Sequence, residues 1–87
     1  MITTDPRDIK ESIRAFVRRS LATADLDDDT DLFATGIANS LFAVQLMTFI
    51  EKTFAVEVEM DDLEFDHFKS LNATTAFVVR KRAQVAA

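Results

Sequence analysis

Few side chains in this chain have the type and setting to do chemistry alone. His67 is its only histidine, and it contains no cysteine. A Ser-His-Asp unit would have to recruit His67 from Asp66-His67-Phe68, and no serine is flanked by the glycines of a nucleophile elbow. A zinc site needs more ligands than one histidine supplies, so no metal site is expected and His67 is read as an ordinary, partly exposed side chain. Asp25, Asp27, Asp29 and Asp31 alternate in the manner of a calcium loop. Such a loop needs Gly at its sixth and Glu at its twelfth position, and neither register supplies them. From Asp25 these places hold Thr30 and Gly36; from Asp27 they hold Leu32 and Ala38. A self-contained enzyme is not expected. Ser40 opens an apolar segment four residues after the chain's only glycine, Gly36.

The elements that would hold Ser40 are helical. Asp5-Pro6 is an N-cap followed by proline at the first helical position, and Ile9, Ile13, Phe16, Val17 and Leu21 then recur at helical spacing. A first helix over 6–21 follows, with Arg14, Arg18 and Arg19 in its later turns, where the helix dipole favours cations. Residues 22–39 have no sustained period, and a loop that long is usually functional or disordered. Its apolar residues Leu26, Leu32, Phe33 and Ile37 predict that it packs down. Further helices are expected over 40–54, 60–66 and 70–82. The last is capped by Ser70 or Asn72 and turns Leu71, Thr74, Phe77 and Val78 inward. The fold class is all-α, a small four-helix bundle of three principal helices and a short third one.

The chain has 87 residues, enough for one small domain, 1–87. Its net charge of −5 gives little support for nucleic-acid binding. No apolar run approaches the roughly 18 residues of a membrane span, and the start of the chain lacks the regions of a signal peptide. No nucleic-acid or membrane partner and a cytoplasmic monomer are therefore expected. The charge is uneven. Residues 25–66 carry twelve acids and one base, whereas 67–87 carry four bases and no acid. An acidic middle either solvates loops or steers basic partners to this part of the molecule.

The 40–54 helix has more apolar surface than a small core needs. At 100° per residue, Ala43, Leu46, Met47, Ile50 and Phe54 share one face. Leu41 and Val44 fall opposite them, beside Gln45, Thr48 and Lys52, and Phe42 lies on a flank. Apolar residues left exposed in a group mark a partner site; the alternative is that the 22–39 loop covers them.

The string Asp31-Leu32-Phe33-Ala34-Thr35-Gly36-Ile37-Ala38-Asn39-Ser40-Leu41 resembles the acyl carrier protein family, in which a loop glycine and an apolar spacer precede Asp-Ser-Leu. The resemblance covers nearly the whole chain, including Glu51-Lys52-Thr53-Phe54 and the acidic segment after it. It implies an acyl-carrier-like bundle in which a phosphopantetheinyl transferase joins 4′-phosphopantetheine to Ser40, and the arm's thiol then holds an acyl group as a thioester. Gly36 can turn the chain into the helix, and the helix N-terminus tolerates a phosphodiester anion. Taken alone, an N-cap is the commoner role for Ser40 or Asn39. Asn39 departs from the family pattern: it stands where the family has an aspartate that helps position a transferase-bound metal, which leaves the transferase class open.

The resemblance implies partners of three kinds: the transferase, an acyl-loading enzyme, and an acyltransferase or synthase module. Leu41, Phe42, Val44, Gln45 and Thr48 are the expected docking face, with acids from 57–66 steering. Asn39-Ser40-Leu41-Phe42-Ala43-Val44-Gln45-Leu46 is similar to discrete carriers of glyceryl-derived, alkoxymalonyl-type extender units in polyketide and antibiotic biosynthesis. A freestanding peptidyl or aminoacyl carrier is the nearest alternative. A helical adaptor that is never modified is the alternative from another class.

Overall fold

The computed structural model describes residues 5–21, 27–34, 36 and 38–86, without the side chains of residues 65, 85 and 86. The order is α1 (Pro6–Leu21), α2 (Ser40–Phe54), a 3₁₀ turn (Met60–Asp62), α3 (Phe65–Phe68) and α4 (Leu71–Ala86). All regular structure among the described residues is helical. No described helix is long and apolar enough to cross a membrane. Leu26 and Ile37, two of the expected loop anchors, lie outside the described residues.

The start of α1 follows the local signal: the Asp5 carboxylate accepts from the Arg7 N–H at 2.9 Å, and the Asp5 carbonyl from Ile9 at 3.0 Å. Ile9, Ile13 and Val17 are buried against α4, with which α1 makes its main interface. From α2 the core takes Ala43, Leu46, Ile50 and Phe54; from α4 it takes Leu71, Thr74, Phe77 and Val78. Phe16, half-buried on α1, stacks on Phe49 of α2 with ring centroids 4.4 Å apart. Helix α2 ends through Ala55, a non-glycine residue at φ 54°. Left-handed backbone costs such a residue roughly 1 kcal/mol, and the Arg82 guanidinium donates to the neighbouring Phe54 carbonyl at 3.1 Å.

The expected helix over 60–66 is not one helix. Its first turn closes at Asp62, whose carboxylate accepts from the Glu59 N–H at 3.0 Å and from the Lys81 ammonium at 2.8 Å. Leu63 and Glu64 then leave helical backbone, and α3 starts only at Phe65. The tie to α4 holds Asp62 at the turn's end and lets the chain change direction. The last helix runs past the expected residue 82 to Ala86. Of its two candidate caps, Ser70 accepts from the Ala73 N–H at 3.1 Å.

Asn72 instead holds the loop. Its side-chain amide donates to Asp29 at 2.6 Å, and its backbone N–H donates to the Asp28 carbonyl at 3.0 Å. Asp28 in turn bridges Lys10, at 3.2 Å, and Arg14 on α1. These cations hold the Asp28 carboxyl below its ordinary range, the Arg14 hydrogen bond most of all. Acids of the stretch read as solvating loops or steering partners are thus partly structural, pinning the loop to two helices.

Candidate functional site

The segment before α2 is built from short-range hydrogen bonds and one buried anchor. The Asp31 carboxylate accepts from the N–H groups of Phe33, at 3.0 Å, and Ala34, at 2.9 Å, fixing a turn. Leu32 is buried, and its N–H donates to the Lys69 carbonyl at 2.7 Å, tying the loop to the α3–α4 junction. Gly36 sits at φ 80°, with open space where a Cβ would stand. Glycine is therefore required by the backbone angle and not by crowding. The Ala38 N–H returns to the Leu32 carbonyl at 2.9 Å and delivers the chain to α2.

Asn39, not Ser40, caps α2. Its backbone is extended, and its side-chain oxygen accepts from the Phe42 N–H at 3.0 Å. Ser40 is the first residue inside the helix and is exposed. Its hydroxyl has no hydrogen-bond partner among the described residues. The N-cap alternative is thereby assigned to Asn39, and the Ser40 hydroxyl remains available. No acidic side chain occupies the first turn of α2, so the positive end of the helix dipole there is not neutralised by its own residues.

Beside Ser40 lies a groove of about 300 Å³, walled by Ala43, Val44 and Met47 from α2 and by Leu63, Glu64 and Phe68 from the segment opposite. Val44 (57% exposed) and Leu63 (52%) line it; Leu41 (65%) and Met60 (87%) are the other exposed large apolar side chains among the described residues. Gln45 and Thr48 are exposed on the same helix, and the Thr48 hydroxyl donates to the Val44 carbonyl at 3.0 Å. The described part of the 22–39 loop leaves Leu41 and Val44 uncovered.

Phe42 corrects the sequence expectation. It is only 3% exposed, with its ring 6.2 Å from Phe16 and 6.5 Å from Phe33 between centroids. The loop folds Phe33 over the flank of α2, so Phe42 is core and not docking surface. Met60 and Leu63 were missed. The available signal was apolar residues standing alone inside an acidic stretch, which nothing in a helical or strand period buries. His67 is half-buried, packed on Phe77 with centroids 5.2 Å apart and 3.4 Å from Arg80 through Nδ1.

The family model described as the phosphopantetheine attachment site matches residues 7–78, most of the chain. The chain belongs to the phosphopantetheine-attachment family. No curated protein matches it. A member of this family carries 4′-phosphopantetheine covalently, and the residues present suit that group: an exposed hydroxyl, an uncompensated helix N-terminus and an apolar groove adjoin one another. The bundle is that of an acyl carrier, and such domains carry groups for other enzymes, including a phosphopantetheinyl transferase and acyl-loading or synthase enzymes.

Proposed function

We propose that Ser40 bears the phosphopantetheine arm and that the chain, without catalysis of its own, carries a thioester-bound acyl or extender unit in polyketide or related secondary metabolism. One observation supports this reading above the rest. The Ser40 hydroxyl stands exposed and unengaged at the first position of α2, because Asn39 performs the cap that would otherwise occupy it. When attached, the arm supplies a thiol whose thioester keeps the acyl carbonyl electrophilic.

The protein's own residues do the rest. The N-terminus of α2 favours the phosphodiester anion next to Ser40. Leu41 and Val44, with Gln45 and Thr48 beside them and Leu63 across the groove, form the surface on which the transferase and the loading and synthase enzymes dock. Glu64 lines the groove, and with Glu57, Glu59, Asp61 and Asp66 of the acidic 57–66 segment it steers basic partners by complementary charge. The carrier works in the cytoplasm, as a monomer.

Intact mass after coexpression with a broad-specificity transferase tests the reading. One phosphopantetheine mass should be added, Ser40→Ala should abolish the addition, and the helical CD signal of the variant should be unchanged. An unmodified wild-type chain beside a transferase shown to be active on another carrier overturns the proposal. Loading of the modified chain with acyl donors, read by the same mass measurement, then separates an acyl carrier from an aminoacyl one.

A further inference from the structure

A second groove among the described residues is larger than the one at Ser40. It has a volume of about 720 Å³, lies between α1 and α4, and shares no residue with the groove beside Ser40. Pro6, Ala76 and Val79 give it apolar lining. Arg7, Lys10 and Arg14 stand along one wall and Arg80 on the other.

Its charge sets it apart from the rest of the surface. Helices α1 and α4 together carry eight bases and two acids, whereas the remainder of the chain carries two bases and thirteen acids. The two acids lining the groove pair with two of its four bases, Lys10 and Arg14, and leave the lining a net charge of +2. Glu11 pairs with Arg14 at 3.0 Å, and Asp28 pairs with Lys10 and Arg14. Among the described residues Arg7 pairs with the half-buried Asp5 at 3.4 Å, a surface pair worth little. The groove is a positively charged, partly apolar channel in a molecule whose net charge is −5.

We infer that this α1–α4 groove docks a short acidic amphipathic helix of a partner protein, independently of the Ser40 face. The occupant follows from three features. The α1 wall from Pro6 to Arg14 spans about 12 Å, roughly two helical turns at 1.5 Å per residue, which suits a short segment. Apolar lining between charged rims matches a helix with one apolar stripe flanked by carboxylates. A concave channel between two helices receives such a helix better than it receives a flat lipid surface. A second copy is disfavoured too. The chain's own acidic apolar stretch, with Met60 and Leu63, is a 3₁₀ turn followed by extended backbone, and two copies repel through their net charge. The polarity of the molecule adds selectivity. An acidic element is repelled from the Ser40 face and attracted to this one, so two partners of opposite charge can be held at once.

The test uses the 87-residue chain, which needs no arm for this purpose, so its failure leaves the Ser40 reading untouched. The probe is a peptide of about four helical turns with leucines at i, i+3, i+4 and i+7 and glutamates elsewhere; its control has lysines in place of the glutamates. Two-dimensional NMR of the isotope-labelled chain should show shifts at Arg7, Lys10, Ala76 and Val79 with the acidic peptide and none at Leu41 and Val44, whereas the lysine peptide should leave Arg7, Lys10, Ala76 and Val79 unshifted. Raising salt well above the physiological level should weaken binding about tenfold. Arg7→Glu should weaken it at least about fivefold, through a rim charge. Ala76→Gln, at an exposed position, should do the same by filling the channel without changing charge. Both variants should keep the wild-type CD spectrum; if Arg7→Glu unfolds, Ala76→Gln decides. Shifts of the groove residues by both peptides alike, shifts by the acidic peptide elsewhere, or no shift with it overturns the inference. So does concentration-dependent self-association lost in Ala76→Gln, which would make a second copy the occupant. Binding to phosphatidylglycerol vesicles that the acidic peptide does not compete overturns it in favour of a lipid surface.

Discussion

Leu41 and Phe42 are neighbours in sequence at the start of α2, yet the structure assigns them opposite roles, and truncating each to alanine separates the two. Phe42 is 3% exposed, and its ring lies against Phe16 and Phe33. Burying such a side chain contributes about 1.5–3 kcal/mol, each aromatic pair adds about 0.5–1.5 kcal/mol, and Phe→Ala changes in cores cost about 3–5 kcal/mol in all. At roughly 0.05–0.15 kcal/mol per residue, a domain of 87 residues has about 4–13 kcal/mol to lose. Phe42→Ala should therefore remove a large fraction of the stability and lower Tm by more than about 12 °C, taking about 4 °C per kcal/mol as the lower bound for this size. Leu41 is 65% exposed, so Leu41→Ala should stay within about 0.5 kcal/mol of wild type. Thermal and urea unfolding followed by far-UV CD measure both. After modification, Leu41→Ala should still slow loading by a cognate enzyme. A Phe42→Ala variant within about 1 kcal/mol of wild type would refute the packing of Phe33 over the α2 flank. A Leu41→Ala variant as damaged as Phe42→Ala would show that the loop covers the face described as open.

Three further outcomes are expected. Val44→Glu should leave Tm nearly unchanged and slow partner transfer about tenfold, because a charge must be desolvated at the contact, whereas Ile50→Glu, fully buried, should unfold the domain in the same CD melt. Lys81→Met should cost about 1.5–3 kcal/mol near neutral pH, the worth of a hydrogen bond to a charged group. The Lys81 ammonium, and after it the Glu59 N–H, holds the Asp62 carboxyl below its ordinary value, and Asp62 raises Lys81. The Asp62 contribution is present above about pH 4 and lost as pH falls through its lowered pKa; the Lys81 contribution is present below about pH 10 and lost as pH rises through its raised pKa. The Tm gap between wild type and variant should therefore be flat between these limits and narrow outside both. Asn39→Ala should cost about 1 kcal/mol through the lost cap, while Asn39→Asp should keep the cap and gain about 0.3–1 kcal/mol from the helix dipole. Initial modification rates should rise for Asn39→Asp with a transferase that uses that carboxylate, and equal rates would remove Asn39 as a selectivity element.

Much of this protein was legible in its sequence because the decisive signals are local. The start of α1 at Asp5-Pro6, the inward stripe Ile9–Ile13–Val17, the start of α2 at Ser40 and the inward set Leu71, Thr74, Phe77 and Val78 depend on residues within a few turns of one another. Helical period and capping chemistry report those directly. The exposure of Leu41 and Val44 followed from the same period, since they lie opposite the stripe that enters the core. Tertiary structure decided whatever depends on a neighbour from elsewhere in the chain. Period placed Phe42 on a flank, but only the path of the loop determines whether a flank is covered, and Phe33 covers it. The 60–66 segment had acceptable helix composition, yet Lys81, nineteen residues beyond Asp62, ties down its first turn and the helix breaks. Asp28 looked like one acid in a solvated run until α1 brought Lys10 and Arg14 to it. The α1–α4 groove has no sequence signature, because its walls are some sixty residues apart and become one basic channel only when the two helices pack. A side chain's own helix determines which way it points; the packing of distant elements determines what it meets there.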